Sequence, residues 1–151
     1  MTFGEGSSVK ETSMRRMAAL FVAVLCVSVA GYGAKKDLAT TDSAVVKFHA
    51  QLDAGNFDQI YLDSGDGMKK ATTQQKLVDL LSAIHRKLGN VKSANRRNFF
   101  INWGTSGRTI RVNYDTQFDA DTAGEEFVFT VAGDDAQLVG YHISSNALVT
   151  K

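Results

Sequence analysis

At Gly89 the spacing of apolar residues changes from about 3.6 to 2, and that switch commits the chain to helices first and strands afterwards. Before it, Leu77, Leu80, Leu81, Ile84 and Leu88 form one helical stripe. Thr72 and Gln75 carry the T-x-x-Q pattern of a capping box. Arg86 and Lys87 suit the negative end of the helix dipole, and Gly89 with Asn90 supplies a stop. After it, Phe99, Ile101 and Trp103 alternate with Phe100 and Asn102. Ile110, Val112, Tyr114, Thr116 and Phe118 share one phase, as do Phe127, Phe129 and Val131, and then Val139, Tyr141 and Ile143. Gly104 to Gly107, Asp119 to Gly124 and Gly133 to Asp135 read as the turns between them.

Upstream lies a second helical pattern. Ala44, Val45, Phe48 and Leu52 fall on one face after the candidate caps Thr41 and Asp42, and Gly55-Asn56 ends the run. Residues 57–62 add a short helical turn, and 63–67 (DSGDG) read as a loop. The expected fold class is α+β, with two or three N-terminal helices packed on a four-stranded antiparallel meander sheet, the arrangement of cystatin-like or cone-like folds.

The amino terminus has a different character. Arg15 and Arg16 precede residues 17–30, which carry no charge. A positive cluster before a short apolar run is the pattern of an export signal. The run is short of the roughly 20 residues needed to span a bilayer. Ser28 and Ala30 put small residues at the cleavage positions, so cleavage is expected after Ala30, with Met14 an alternative start. A buried amino-terminal helix and an uncleaved anchor are the competing readings. The expected organisation is a signal peptide with polar lead over 1–30, a linker over 31–40 and a single domain over 41–147. The product is exported to the periplasm or the medium, or stays membrane-associated through a retained signal. Cys26 is the only cysteine, so the exported part has neither disulfide nor thiolate chemistry.

Charge narrows the partners. Three of the 17 basic and two of the 16 acidic residues precede position 31, so the remainder is balanced. A neutral domain has no overall field to attract a phosphate backbone, and nucleic acid is not expected as a partner.

Three stretches support a likeness. They are Arg86-Lys87-Leu88-Gly89-Asn90-Val91 with Arg96; Tyr114-Asp115-Thr116-Gln117-Phe118 followed by Glu125-Glu126-Phe127-Val128; and Leu138-Val139-Gly140-Tyr141-His142-Ile143. The chain from Ile84 onward resembles an uncharacterised family of bacterial envelope and lipoprotein domains of unknown function. It is also similar, at fold level, to the nuclear-transport-factor-2-like superfamily. Many members of the envelope family carry Trp before the final Val-Gly-Tyr, where this chain has Gln137-Leu138. Val29-Ala30-Gly31 looks like the start of a lipoprotein box, but Tyr32 stands where the lipidated cysteine would be. The resemblance implies an envelope protein without known activity.

Motifs with chemical meaning are few. His49, His85 and His142 lack metal-ligand spacing and read as surface or half-buried structural histidines, and DSGDG lacks the residues of an EF-hand loop. No catalytic, cofactor or metal residue is assigned, and no cofactor is expected. Trp103, Tyr114, Phe118, Phe127 and Phe129 are candidates to line a ligand cavity, or to fill it. Lys92, Arg96 and Arg97, placed before the first strand, are a candidate anion patch, or an edge that discourages strand pairing. Glu125 and Glu126, adjacent on a strand, point to opposite faces and cannot act on one atom together. The expected function is non-catalytic binding of an envelope protein or a small apolar ligand. The alternative is an isomerase- or hydrolase-like enzyme with a pocket carboxylate or histidine. A solid core with an exposed apolar patch favours a protein partner.

Overall fold

The computed structural model describes residues 33–104 and 107–149. The proposed signal segment and its cleavage site at Ala30 lie outside them. Residues 33–53 are helical. The part from Ala39 onward, α1 below, belongs to the same compact unit as all later elements. Three further helices follow: α2 (Phe57–Asp63), α3 (Asp66–Ala71) and α4 (Gln74–Leu88). Then come β1 (Val91–Gly104), β2 (Gly107–Phe118), β3 (Thr122–Ala132), β4 (Asp135–Ser144) and a closing turn of helix, α5 (Asn146–Val149). The strands pair antiparallel in the order β1-β2-β3-β4, an open meander with helices ahead of it. The α+β architecture read from the change of period is the one observed.

Several local expectations shift. The helix begins before Thr41 and Asp42 and includes residues 33–40. Its sequence, Gly-Ala-Lys-Lys-Asp-Leu-Ala-Thr, is mostly residues that favour helix. Asp42 is used elsewhere: its carboxylate accepts from Tyr114 and Arg96. In α4 the N-cap is Thr73, whose hydroxyl accepts from the Lys76 N–H, one residue later than the capping-box reading. Leu80 of the expected stripe is 44% exposed, while Leu77, Leu81, Ile84 and Leu88 are buried.

The DSGDG segment contains the start of α3 rather than a free loop. A Cβ at Gly67 would lie 2.8 Å from the Val139 Cβ, and one at Gly65 would lie 3.1 Å from Gln137. The Gly65 N–H donates to the Leu138 carbonyl at 2.8 Å. These glycines let α3 sit directly against residues 137–139 of β4.

Gly89 carries the junction where the period changes. Its backbone, at φ 78 and ψ −155, occupies a region essentially restricted to glycine. A Cβ there would meet the Asp119 side chain at 2.6 Å. Asp119 sits that close because its carboxylate accepts from the Asn90 N–H at 2.7 Å and pairs with Lys92. Gly89→Ala is expected to cost at least about 1–3 kcal/mol from backbone strain alone. Urea unfolding checks this, and an unchanged midpoint would show that the junction can rearrange freely.

The core combines Val45, Phe48 and Leu52 of α1, the four buried leucine-stripe residues of α4, and one face of the sheet. That face carries Ile110, Val112, Tyr114, Thr116 and Phe118 on β2, and Ala123, Glu125, Phe127, Phe129 and Val131 on β3. On β4 the expected run Val139, Tyr141, Ile143 is broken. A bulge shifts the register, so that Leu138 pairs with Phe129 and Tyr141 with Phe127. One extra residue puts Leu138 and Tyr141 both toward the core side despite their odd spacing.

Asp63 ties α2 to α1. It pairs with Lys47 at 2.7 Å and accepts from Gln51 and Gln59. The hydrogen bond from Lys47, opposed by burial and reinforced by the two amides, lowers its carboxyl to about 2. Because the folded value lies below the unfolded 3.8, its contribution is complete above about pH 4 and fades as pH falls toward 2. Asp63→Asn should therefore reduce the acid dependence of stability in that window. Equal slopes for both proteins in acid titrations of unfolding would refute the assignment.

Candidate functional site

Two features of the compact unit stand out: a buried polar cluster beside a groove, and an exposed aromatic segment on a sheet edge.

Phe127 lies at the middle of the helix–sheet interface. The rings of Phe48, His49, Tyr114 and Tyr141 have centroids 5.1–5.9 Å from it. Phe129 stacks on it at 6.1 Å. Phe118, Phe127 and Phe129 are at most 2% exposed. Of the five candidate cavity residues, Phe118 and Phe127 pack the core, and Phe129, equally buried, also lines a small pocket of about 100 Å³ bordered by α1, α2 and β4. Tyr114 is also buried but reaches a groove, and Trp103 is 66% exposed and far from a lining role.

Among these rings sits Glu125, whose side chain is fully enclosed. Its Oε1 accepts from the Tyr141 hydroxyl at 2.6 Å. Its Oε2 accepts from the Thr116 hydroxyl at 2.5 Å and lies 2.8 Å from His49 Nε2. An ionised carboxylate only accepts, so Nε2 then carries the ring proton. Burial, followed by the neighbouring Glu125 charge, raises the Tyr141 phenol well above its ordinary value and keeps it a donor. The cluster joins α1, β2, β3 and β4.

The expectation of a surface or half-buried histidine fails for His49, which is 6% exposed. The sequence held the signal: His49 lies four residues after Val45 and three before Leu52, on the apolar stripe. Likewise Glu125 shares the phase of Phe127 and Phe129, so it points inward. Glu126 points out, 3.6 Å from Arg111. His85 approaches Asn90 at 3.1 Å, and His142 is exposed on β4. Among the described residues, no group of three His, Cys, Asp or Glu side chains could hold a metal ion.

A groove of about 290 Å³ opens between α1 and the first two strands. It is lined by Val45, Val46 and His49 on one side and Ala94, Asn95 and Arg96 on the other, with Asp42 and Tyr114 crossing it. Tyr114 donates to Asp42 at 2.5 Å, and Arg96 binds the same carboxylate. Burial, then Asp42, raises the Tyr114 phenol, so it remains a donor.

The three candidate anion-patch residues lie within β1, not ahead of it. Lys92 pairs with Asp119 at 2.7 Å, Arg96 with Asp42, and Arg97 with Asp115 at 3.3 Å. Each cation thus faces its own carboxylate, and the three do not converge on one point.

Strand β1 is the uncovered edge of the sheet, and its two halves differ. Register shifts interrupt 91–98, which also carries Lys92, Arg96 and Arg97. Bulges and charges discourage strand addition. From Asn98 to Gly104 the pairing with β2 is regular and no residue is charged. There Phe99 is 43% exposed, Phe100 63% and Trp103 66%. Phe99, Ile101 and Trp103 oppose Val112, Ile110 and Arg108, so they continue the core face of the sheet past its helical cover.

Comparison with known protein families and with curated proteins finds no match to this chain.

Proposed function

We propose that this protein is an exported, non-catalytic envelope module that recognises a protein partner along the uncharged half of β1. The observation that carries this reading is the pairing-competent aromatic segment 98–104, left open beside a filled core. On the opposite edge, α3 packs against residues 137–139 of β4. Export rests on Arg15-Arg16 and the uncharged residues 17–30. No helix among the described residues is long and apolar enough to cross a membrane. The resemblance to envelope domains with a cystatin-like or nuclear-transport-factor-2-like fold agrees with this reading. The junction Leu88-Gly89-Asn90-Val91, which carries part of that resemblance, is a structural turn rather than a chemical motif.

A photoreactive residue placed at Phe100 or Trp103 in living cells tests the proposal. Discrete protein adducts are expected at both positions and not at the equally open Leu62 on α2. Adducts that form no more readily than at Leu62 would overturn it.

The His49–Glu125 pair beside the groove favours a second reading, an isomerase- or hydrolase-like enzyme. That reading needs His49 to be reachable, yet its side chain is only 8% exposed and that of Glu125 is fully buried. Diethyl pyrocarbonate discriminates: a His49 modified as fast as exposed His142 would revive the enzyme, and a protected one removes it.

A further inference from the structure

We propose that the partner is a second copy of this chain, paired antiparallel with β1 about a two-fold axis at Ile101. This rests on the reading of β1 as the docking edge and adds the identity of what docks. An isologous contact requires a surface that complements itself, and segment 98–104 does so in one register. Centring on Ile101 sets Phe99 opposite Trp103 of the other copy, Ile101 opposite itself, and Phe100 opposite Asn102. Directly opposed residues point to the same face. Phe99, Ile101 and Trp103 of both copies would therefore merge into one apolar floor on the helix side. The meander would become an eight-stranded sheet with both helical layers on one face.

Charge rules out registers shifted toward residues 91–97, and full overlap of the uncharged segment centres the pairing on Ile101. No residue from 98 to 104 is charged, and Lys92, Arg96 and Arg97 fall beyond the end of the partner's paired segment. Sliding the axis back to Asn98 would instead put Arg97 opposite Phe99 and Arg96 opposite Phe100. A longer foreign strand would run onto the same bulged, cationic half. Area is consistent as well. At about 200 Å² per aromatic side chain, the exposures of Phe99, Phe100 and Trp103 leave roughly 350 Å² open on each copy. Two such patches plus Ile101 and the strand backbones approach the roughly 1,000 Å² of a specific interface.

The test uses the full chain with Cys26→Ser and a single introduced cysteine, treated with a short bis-maleimide linker. Ile101→Cys should yield covalent dimer, and Leu62→Cys should not. On the outer face, Phe100→Lys with Asn102→Lys sets like charges opposite each other across the axis. That pair should lower the Ile101→Cys dimer yield at least about tenfold. Phe100→Lys with Asn102→Glu sets opposite charges there and should preserve it. Equal yields from the two charge variants, or an Ile101→Cys yield no higher than Leu62→Cys, would overturn the proposal. If Phe100 then photo-crosslinks to a different protein, the docking edge stands and only the second copy is lost. An adduct to another part of the same chain also removes the second copy. No adduct of any kind removes both.

Discussion

Glu125→Ala is expected to lower the unfolding free energy by about 3–5 kcal/mol, as for breaking a buried ionic cluster by deleting one partner. The deletion removes the acceptor for three donors at once: the buried Thr116 hydroxyl and His49, and the half-buried Tyr141 hydroxyl. Thr116 and His49 would be left without that partner in a buried site, with Phe48 and Phe127 packed around the His49 ring. An unmet buried donor costs about 1–3 kcal/mol, so the loss greatly exceeds that of a surface pair. Glu125→Gln keeps one carbonyl oxygen but turns an amide toward donors, so an intermediate loss is expected. Urea unfolding monitored by tryptophan fluorescence and by circular dichroism measures both. A loss below about 1 kcal/mol for Glu125→Ala would mean that the cluster does not hold α1 to the sheet.

Phe127→Ala should cost about 3–5 kcal/mol, the range for truncating a fully buried aromatic. Phe127 has no exposed surface and touches rings from both layers, so neighbours cannot easily collapse into the void. Phe100→Ala, on the next-but-one strand and 63% exposed, is the internal control. Its cost should stay within about 0.5 kcal/mol. Similar losses at the two positions would contradict the placement of the core. Phe100→Ala should nevertheless weaken association, because its surface is open for contact rather than for folding.

Particular residues mark how much was legible in the chain. The stripe from Leu77 to Leu88 and the glycine that ends it were readable because helix period and termination are local properties. The phases of β2 and β3 were equally plain, since one face is buried from Ile110 to Phe118 on β2 and from Ala123 to Val131 on β3. β4 was less so, because a bulge costs one residue of phase and leaves no compositional mark. The DSGDG segment looked like a loop because glycine for close approach and glycine for a turn are the same letter. Glu125 was visible as an inward position but not as a site, because its partners His49 and Tyr141 lie 76 and 16 residues away.

That helices come first and four antiparallel strands follow, and the inward phase of most side chains, followed from the sequence alone. Each depends on spacing within a few residues. Which of those faces would be covered did not. That α3 packs on residues 137–139 of β4, that α1 meets Glu125, and that residues 98–104 stay open are outcomes of long-range packing. An alternating aromatic strand reads the same whether a helix lies over it or water does, because periodicity reports direction and only tertiary contact reports cover.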